Sequence, residues 1–214
     1  MGRVPVVISP ASVAVVVLAG GRGARLGGIN KPLLRRADGR SLLTGVIEAL
    51  GPAGREVLVI TTEARAAEIR AAFGGRVAID PGLGPAEALG LAASEVTREW
   101  IALAGGDHPH PAAEIFARLG AAAGEGVTAV VASLAGRRQP LCALYRRAAV
   151  LALAARRPLA GGSLQAVLDD LSALVVDADP WPERVRSGFD SVNTPEDARA
   201  AGLSDPCAPS KGAG

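Results

Sequence analysis

The sequence predicts an α/β fold in which a parallel sheet is covered by helices on both faces. Three observations predict it. Short, continuous apolar runs recur along the chain, helical patterns lie between them, and aromatic residues make up only 3% of the composition. Strands buried on both faces read as unbroken apolar runs, and parallel neighbours need a crossover between them. A core of Ala, Val, Leu and Ile suits close packing of helix on sheet. At 214 residues the chain is long enough for one domain with a sizeable core.

Taken in order, Val13–Leu18 is a β-branched run fit for the middle of the sheet. Glu56–Ile60 ("EVLVI"), Val77–Ile79, Trp100–Ala104 ("WIALA") and Val127–Ala132 ("VTAVVA") follow, with weaker candidates at Leu141–Tyr145 and Leu174–Val176. Helical patterns cover 41–50, 63–73, 85–96, 111–122, 146–156 and 163–170. The alternation predicts right-handed crossovers. A last helix starts in "NTPEDARAAG": Thr194 is placed to cap it, Pro195 fills the first helical position, Asp197 completes a capping box and Gly202 stops it. Residues 1–12 read as an irregular leader, 13–202 as a single domain and 203–214 as a disordered tail.

Composition excludes several classes of function. The net charge is +2 and the cations are scattered arginines without a basic block, which gives no footprint for nucleic acid. No run is long and clean enough to span a membrane. The stretch at 4–20 ("VPVVISPASVAVVVLAG") invites a secretory-signal reading, but prolines and serines interrupt it, and cleavage near Ala19 would remove the first strand. Cys142 and Cys207 form no C-x-x-C pair and read as free thiols in a reducing cytoplasm. In so Arg-rich a chain the scarce residue types stand out: lysine only at Lys31 and Lys211, asparagine only at Asn30 and Asn193, histidine only at His108 and His110, and tyrosine only at Tyr145.

The segment after the first strand, "LAGGRGARLGGINKPLL" (18–34), is glycine-rich and carries three cations and a proline. It is not a P-loop, because Lys31 lies three residues past Gly28 and is followed by Pro32. Nor is it the dinucleotide fingerprint, whose last glycine position holds Leu26. Its position still favours phosphate. It leaves a buried strand at the carboxyl end, where open α/β sheets bind ligands. Glycines let backbone N–H groups approach an anion, and Arg25 and Lys31 are spaced to reach round it. A flexible surface turn with solvated cations is the alternative.

Other segments add candidates. In "ALAGGDHPHP", Asp107 sits just beyond a buried strand, where a single carboxylate suits Mg²⁺ held jointly with substrate phosphates. The alternative is a turn or cap before the next helix. His108 and His110 resemble half a zinc site but lack further ligands at suitable spacing. "IDPGLGPAEALGLA" places Asp80 after a short strand, before a turn into a helix. "FDSVNTPED" contributes Asp190 and Asn193, either of which would complete a metal site opened by Asp107, although the cap reading explains the same segment. No G-x-S-x-G motif appears, and Cys142 has no histidine in its own motif, so no covalent nucleophile is evident.

In this order, "LAGGRGARLGGINKPLL", "DPGLGP", "GGDHPHP", "RQPLCALY" and "FDSVNTPED" resemble the motifs of molybdenum cofactor guanylyltransferases. The resemblance covers residues 13–202. It implies a Rossmann-like, three-layer αβα sandwich with a mostly parallel sheet. It also implies a cytoplasmic enzyme that uses GTP and Mg²⁺ to convert molybdopterin into its guanine dinucleotide form, releasing pyrophosphate. Molybdoenzymes or other cofactor-biosynthesis proteins are the further partners it implies. Leu18, Ala19, Gly20 and Gly21 would line the nucleotide, Lys31 would stabilise phosphate charge with Arg25 assisting, Asp80 would contact the nucleotide, and Asp107 would hold the metal. Asn193, with Asp190 nearby, would lie close to metal and acceptor. Departures are Asn30 where many relatives have Asp, Ser191 where many have Asn, and Ile60 near a position that is Asn in some. A CTP-using or other-acceptor nucleotidyltransferase and a non-catalytic binding partner are the rival readings.

Overall fold

The computed structural model describes residues 8–21 and 29–204. Readings made for residues 1–7, for Arg25 and Leu26, and for Cys207 and Lys211 lie outside the described residues. Strands β1 (Val13–Leu18), β2 (Glu56–Thr62), β3 (Arg76–Asp80), β4 (Trp100–Gly105), β5 (Ala129–Leu134), β6 (Arg137–Arg146) and β7 (Leu174–Asp177) form one sheet in the order β3-β2-β1-β4-β6-β5-β7. The helices are α1 (Leu42–Leu50), α2 (Glu63–Ala72), α3 (Pro85–Glu95), α4 (Ala113–Ala122), α5 (Arg147–Arg156), α6 (Leu164–Asp170), α7 (Glu183–Arg186) and α8 (Pro195–Ala200).

The apolar runs are unbroken because the sheet has two buried faces. In β1, Val13, Val15 and Val17 join a core with Leu43, Val46 and Leu50 of α1, Ile69 of α2, and Ile115, Phe116 and Leu119 of α4. Ala14 and Val16 face the other way, toward α3, α5 and α6. On that second face Ala86, Ala88, Ala92 and Ala93 of α3 are buried, so small side chains bring this helix close to the strands. The result is the three-layer arrangement the sequence predicts.

The sheet is mixed rather than wholly parallel. β6 pairs antiparallel with both β4 and β5, and every other pairing is parallel. The reversal is a β5–β6 hairpin in which Leu134 pairs with Arg137. Its two loop residues, Ala135 and Gly136, have φ of 48° and 72°, the left-handed pair that a tight hairpin turn requires. β6 consequently begins four residues earlier than the predicted strand, at Arg137 rather than Leu141.

A smaller third core ties the C-terminal segment to the segment after β1. Leu34, Leu42, Val192, Ala198 and Leu203 are buried together, and Arg35 forms antiparallel bridges with Ser41 and with Ser204. The α8 start is the predicted capping box: Asp197 N–H donates to Thr194 Oγ1, while the Asp197 carboxylate accepts from the N–H groups of Thr194 and Asn193. Those N–H groups hold the Asp197 carboxyl below its ordinary 3.8. Replacing Thr194 with Ala is expected to lower the unfolding free energy by about 1 kcal/mol, the usual value of such a cap. Urea denaturation reads this directly, and an unshifted midpoint would show that the cap contributes nothing.

Candidate active site

Adjacent strands β1 and β4 lead their chains in opposite directions across the sheet, so a crevice opens beyond their carboxyl ends. A cavity of about 490 Å³ lies there, within the range of small-molecule sites. Its lining draws on the end of β1 (Leu18), the following Ala19, Gly20 and Gly21, the ends of β2 and β3 (Thr62, Asp80), and the start of α3. Lys31, Asp107 and Asn193 close one end.

The end of β1 is pinned on both sides. Ala19 N–H donates to Ile60 O at 2.7 Å, the buried Thr61 hydroxyl donates to Ala19 O at 3.2 Å, and Gly106 N–H donates to Leu18 O at 2.9 Å. Gly20 follows against Thr62, where an added Cβ would lie 3.3 Å from the Thr62 methyl. The chain therefore leaves the sheet along a fixed path through Gly20.

Lys31 begins a short 3₁₀ turn (Lys31–Leu33) that Pro32 anchors in the protein. Its ammonium donates to Asp107 Oδ2 at 3.2 Å and to Asn193 Oδ1 at 3.1 Å. The side chains of Lys31 and Asp107 are 14% and 24% exposed, which leaves both accessible from the cavity. Three segments remote in sequence thus meet at one cation. Two further bonds hold the last two segments together: Val192 N–H donates to Asp107 O at 3.0 Å, and the buried His108 ring bonds Gly188 O through Nδ1 at 2.9 Å.

Other candidates take different places. Asp107 does not cap α4, whose cap position is Ala112; its carboxylate goes to Lys31 instead. Asp80 lines the far part of the cavity, and its Oδ1 accepts from Gly82 N–H at 3.0 Å. Gly82 and Gly84 there have φ of 82° and 106°, so the short turn into α3 depends on glycine. Asp190 is exposed and stands outside the cavity lining, whereas Asn193 is part of it. Asn30 turns away from the cluster and donates to Glu68 on α2 at 2.7 Å.

Sequence spacing did not reveal that His108 Nδ1 lies 3.8 Å from Cys142 Sγ. The contact is not a nucleophile and its base. Burial, with the Asp107 charge second, pushes the Cys142 thiol upward, and a buried protonated thiol is inert. His110 is exposed. The sequence reading also missed Thr62 and Leu141 as lining residues. Leu141 enters the cavity from β6, the strand whose reversal the sequence reading did not foresee.

The sequence profile of the MobA-like NTP transferase domain matches residues 15–174. The chain belongs to that family. It is a nucleotidyltransferase, and its substrate class is the nucleotides. The fold is similar to that of molybdopterin-guanine dinucleotide biosynthesis protein A from Archaeoglobus fulgidus, at 22% identity and a TM-score of 0.71, covering 88% of this chain and 96% of that one. It is also similar to Rv0371c from Mycobacterium tuberculosis, at 25% identity and a TM-score of 0.69, covering 89% and 97%. A third similar fold is 4-diphosphocytidyl-2C-methyl-D-erythritol synthase from Anaerococcus prevotii, at 12% identity and a TM-score of 0.66, covering 90% and 95%. No curated protein matches the sequence. Among the described residues no helix is long and apolar enough to cross a membrane.

Proposed function

We propose that this nucleotidyltransferase transfers GMP from GTP to the terminal phosphate of molybdopterin, giving the guanine dinucleotide cofactor and pyrophosphate in the cytoplasm. The observation that carries the reading is the meeting of Lys31, Asp107 and Asn193 at one end of a nucleotide-sized cavity. An oxygen of the acceptor phosphate attacks the α-phosphorus, the bond from that phosphorus to the bridging oxygen breaks, and pyrophosphate leaves. Such a transfer asks the protein for positioning and charge stabilisation rather than for a covalent group.

The chain's residues divide this work. The pinned backbone at Leu18 and Ala19, with Gly20 and Gly21 beyond it, lines the nucleotide, and Asp80 contacts it at the far end of the cavity. Lys31 faces the phosphates as a compact positive charge, with Arg25 assisting. The donor set fits a divalent cation: a carboxylate and an amide oxygen already converge on one positive charge, and hard cations take oxygen ligands. Asp107 and Asn193 would hold Mg²⁺, which supplies neutralisation of charge on the triphosphate. A relative of similar fold, Rv0371c, has been determined in complex with manganese, at 22% identity and a TM-score of 0.64.

The test is pyrophosphate release by the purified protein with Mg²⁺, molybdopterin and each of GTP, CTP, ATP and UTP. Release with GTP alone is the expected result. Release with CTP would keep the chemistry and change the base. A folded protein that binds nucleotide but stays silent with all four would overturn molybdopterin as the acceptor.

A further inference from the structure

We propose that Ser191 is a positioning residue: its carbonyl admits only the nitrogen end of the Asn193 amide and its hydroxyl holds that end in place, so that the amide oxygen faces the cation position beside Asp107. The inference rests on the reading of that position as the metal and phosphate end of the nucleotide site.

An asparagine amide has two ends of nearly equal shape and opposite hydrogen-bonding sense. Only the oxygen end suits a position next to cations. Lys31 selects it in this structure by donating to Oδ1 at 3.1 Å. When Lys31 turns toward a phosphate, that selection is lost unless something holds the other end. Ser191 does so: Asn193 Nδ2 donates to Ser191 Oγ at 2.8 Å and lies 3.3 Å from Ser191 O. The carbonyl can only accept, so it admits only the nitrogen end, and the shorter bond to the hydroxyl fixes where that end sits.

The backbone beneath is equally fixed. Asn193 N–H donates to Asp197 Oδ2 at 2.8 Å, and the preceding Val192 N–H donates to Asp107 O at 3.0 Å. The whole side chain is therefore gripped at its backbone and at its nitrogen, leaving the oxygen toward Lys31 and Asp107. Ser191 itself is half-buried and lies outside the cavity lining, which makes it a support for Asn193 rather than a group that touches substrate.

The experiment is a titration with Mn²⁺ alone, read by loss of the electron paramagnetic resonance signal of the hydrated ion, on the wild type, Ser191→Ala, Ser191→Thr and Asn193→Ala. Ser191→Ala is expected to weaken Mn²⁺ binding about tenfold or more, the usual effect of removing a group that orients a metal ligand. The metal concentration for half-maximal pyrophosphate release should rise by the same factor, with kcat at saturating metal and the thermal unfolding midpoint nearly unchanged. Ser191→Thr keeps the hydroxyl and should restore binding. Wild-type titration by Ser191→Ala while Asn193→Ala is weakened, or failure of Ser191→Thr to restore binding, would overturn the role of Ser191 alone. An unchanged titration in Asn193→Ala would instead overturn the reading of this end of the cavity as a metal site.

Discussion

Replacing Lys31 with Ala should lower the rate of nucleotidyl transfer by roughly 10²–10³, the loss seen when one preorganised donor is removed from a transition state. The geometry explains why a single side chain would matter so much. Lys31 sits on a turn closed by Leu33 N–H to Asn30 O and Leu34 N–H to Lys31 O, so its Cα is fixed before ligand arrives. Its ammonium is largely shielded, and fixed oxygens hold it at the cavity wall. A charge held there costs little reorganisation when negative charge develops on the phosphates. Lys31→Arg is not expected to rescue, because a planar fork cannot occupy the space of a compact ammonium between two oxygens. Single-turnover rates with saturating nucleotide and metal would read the effect, with circular dichroism confirming the fold. A loss below about threefold would remove Lys31 from the transition state, since one preorganised donor there is worth far more.

Much of this site was legible in the sequence because its residues are scarce types at strand ends. One of two lysines, one of two asparagines and an aspartate just past a buried strand are the three groups that meet. What the sequence could not show is which of several nearby polar groups points inward. Asp190 and Asn193 lie three residues apart, yet only Asn193 reaches the cavity, because the Asp197 capping box turns its backbone there. In the fold, the continuous valines of β1 announced a strand buried on two faces. The direction of β6 was hidden because a two-residue turn at Ala135–Gly136 leaves no helix to read and no Asn-Gly signal. Leu141 was missed with it, since its place in the cavity follows from that reversal.

Asp107→Ala should cost about 10³ or more in rate, because it removes a counter-charge to Lys31 and, on the proposed reading, the carboxylate that would hold the metal. The fold should survive. The contact of this loop with the C-terminal segment runs through the Asp107 carbonyl and the His108 ring, neither of which the substitution touches. Raising the metal concentration should recover part of the activity if the carboxylate binds metal, and none if its sole role is to orient Lys31. The double variant separates these roles further. If Lys31 and Asp107 act as one unit, losing both should cost little more than losing the worse one, because groups that work through each other are not additive. If each stabilises the phosphates separately, the two losses should multiply. The 3.2 Å contact between Nζ and Oδ2 favours the first outcome. Fully multiplicative losses would mean that the ion pair does not persist through the transfer step.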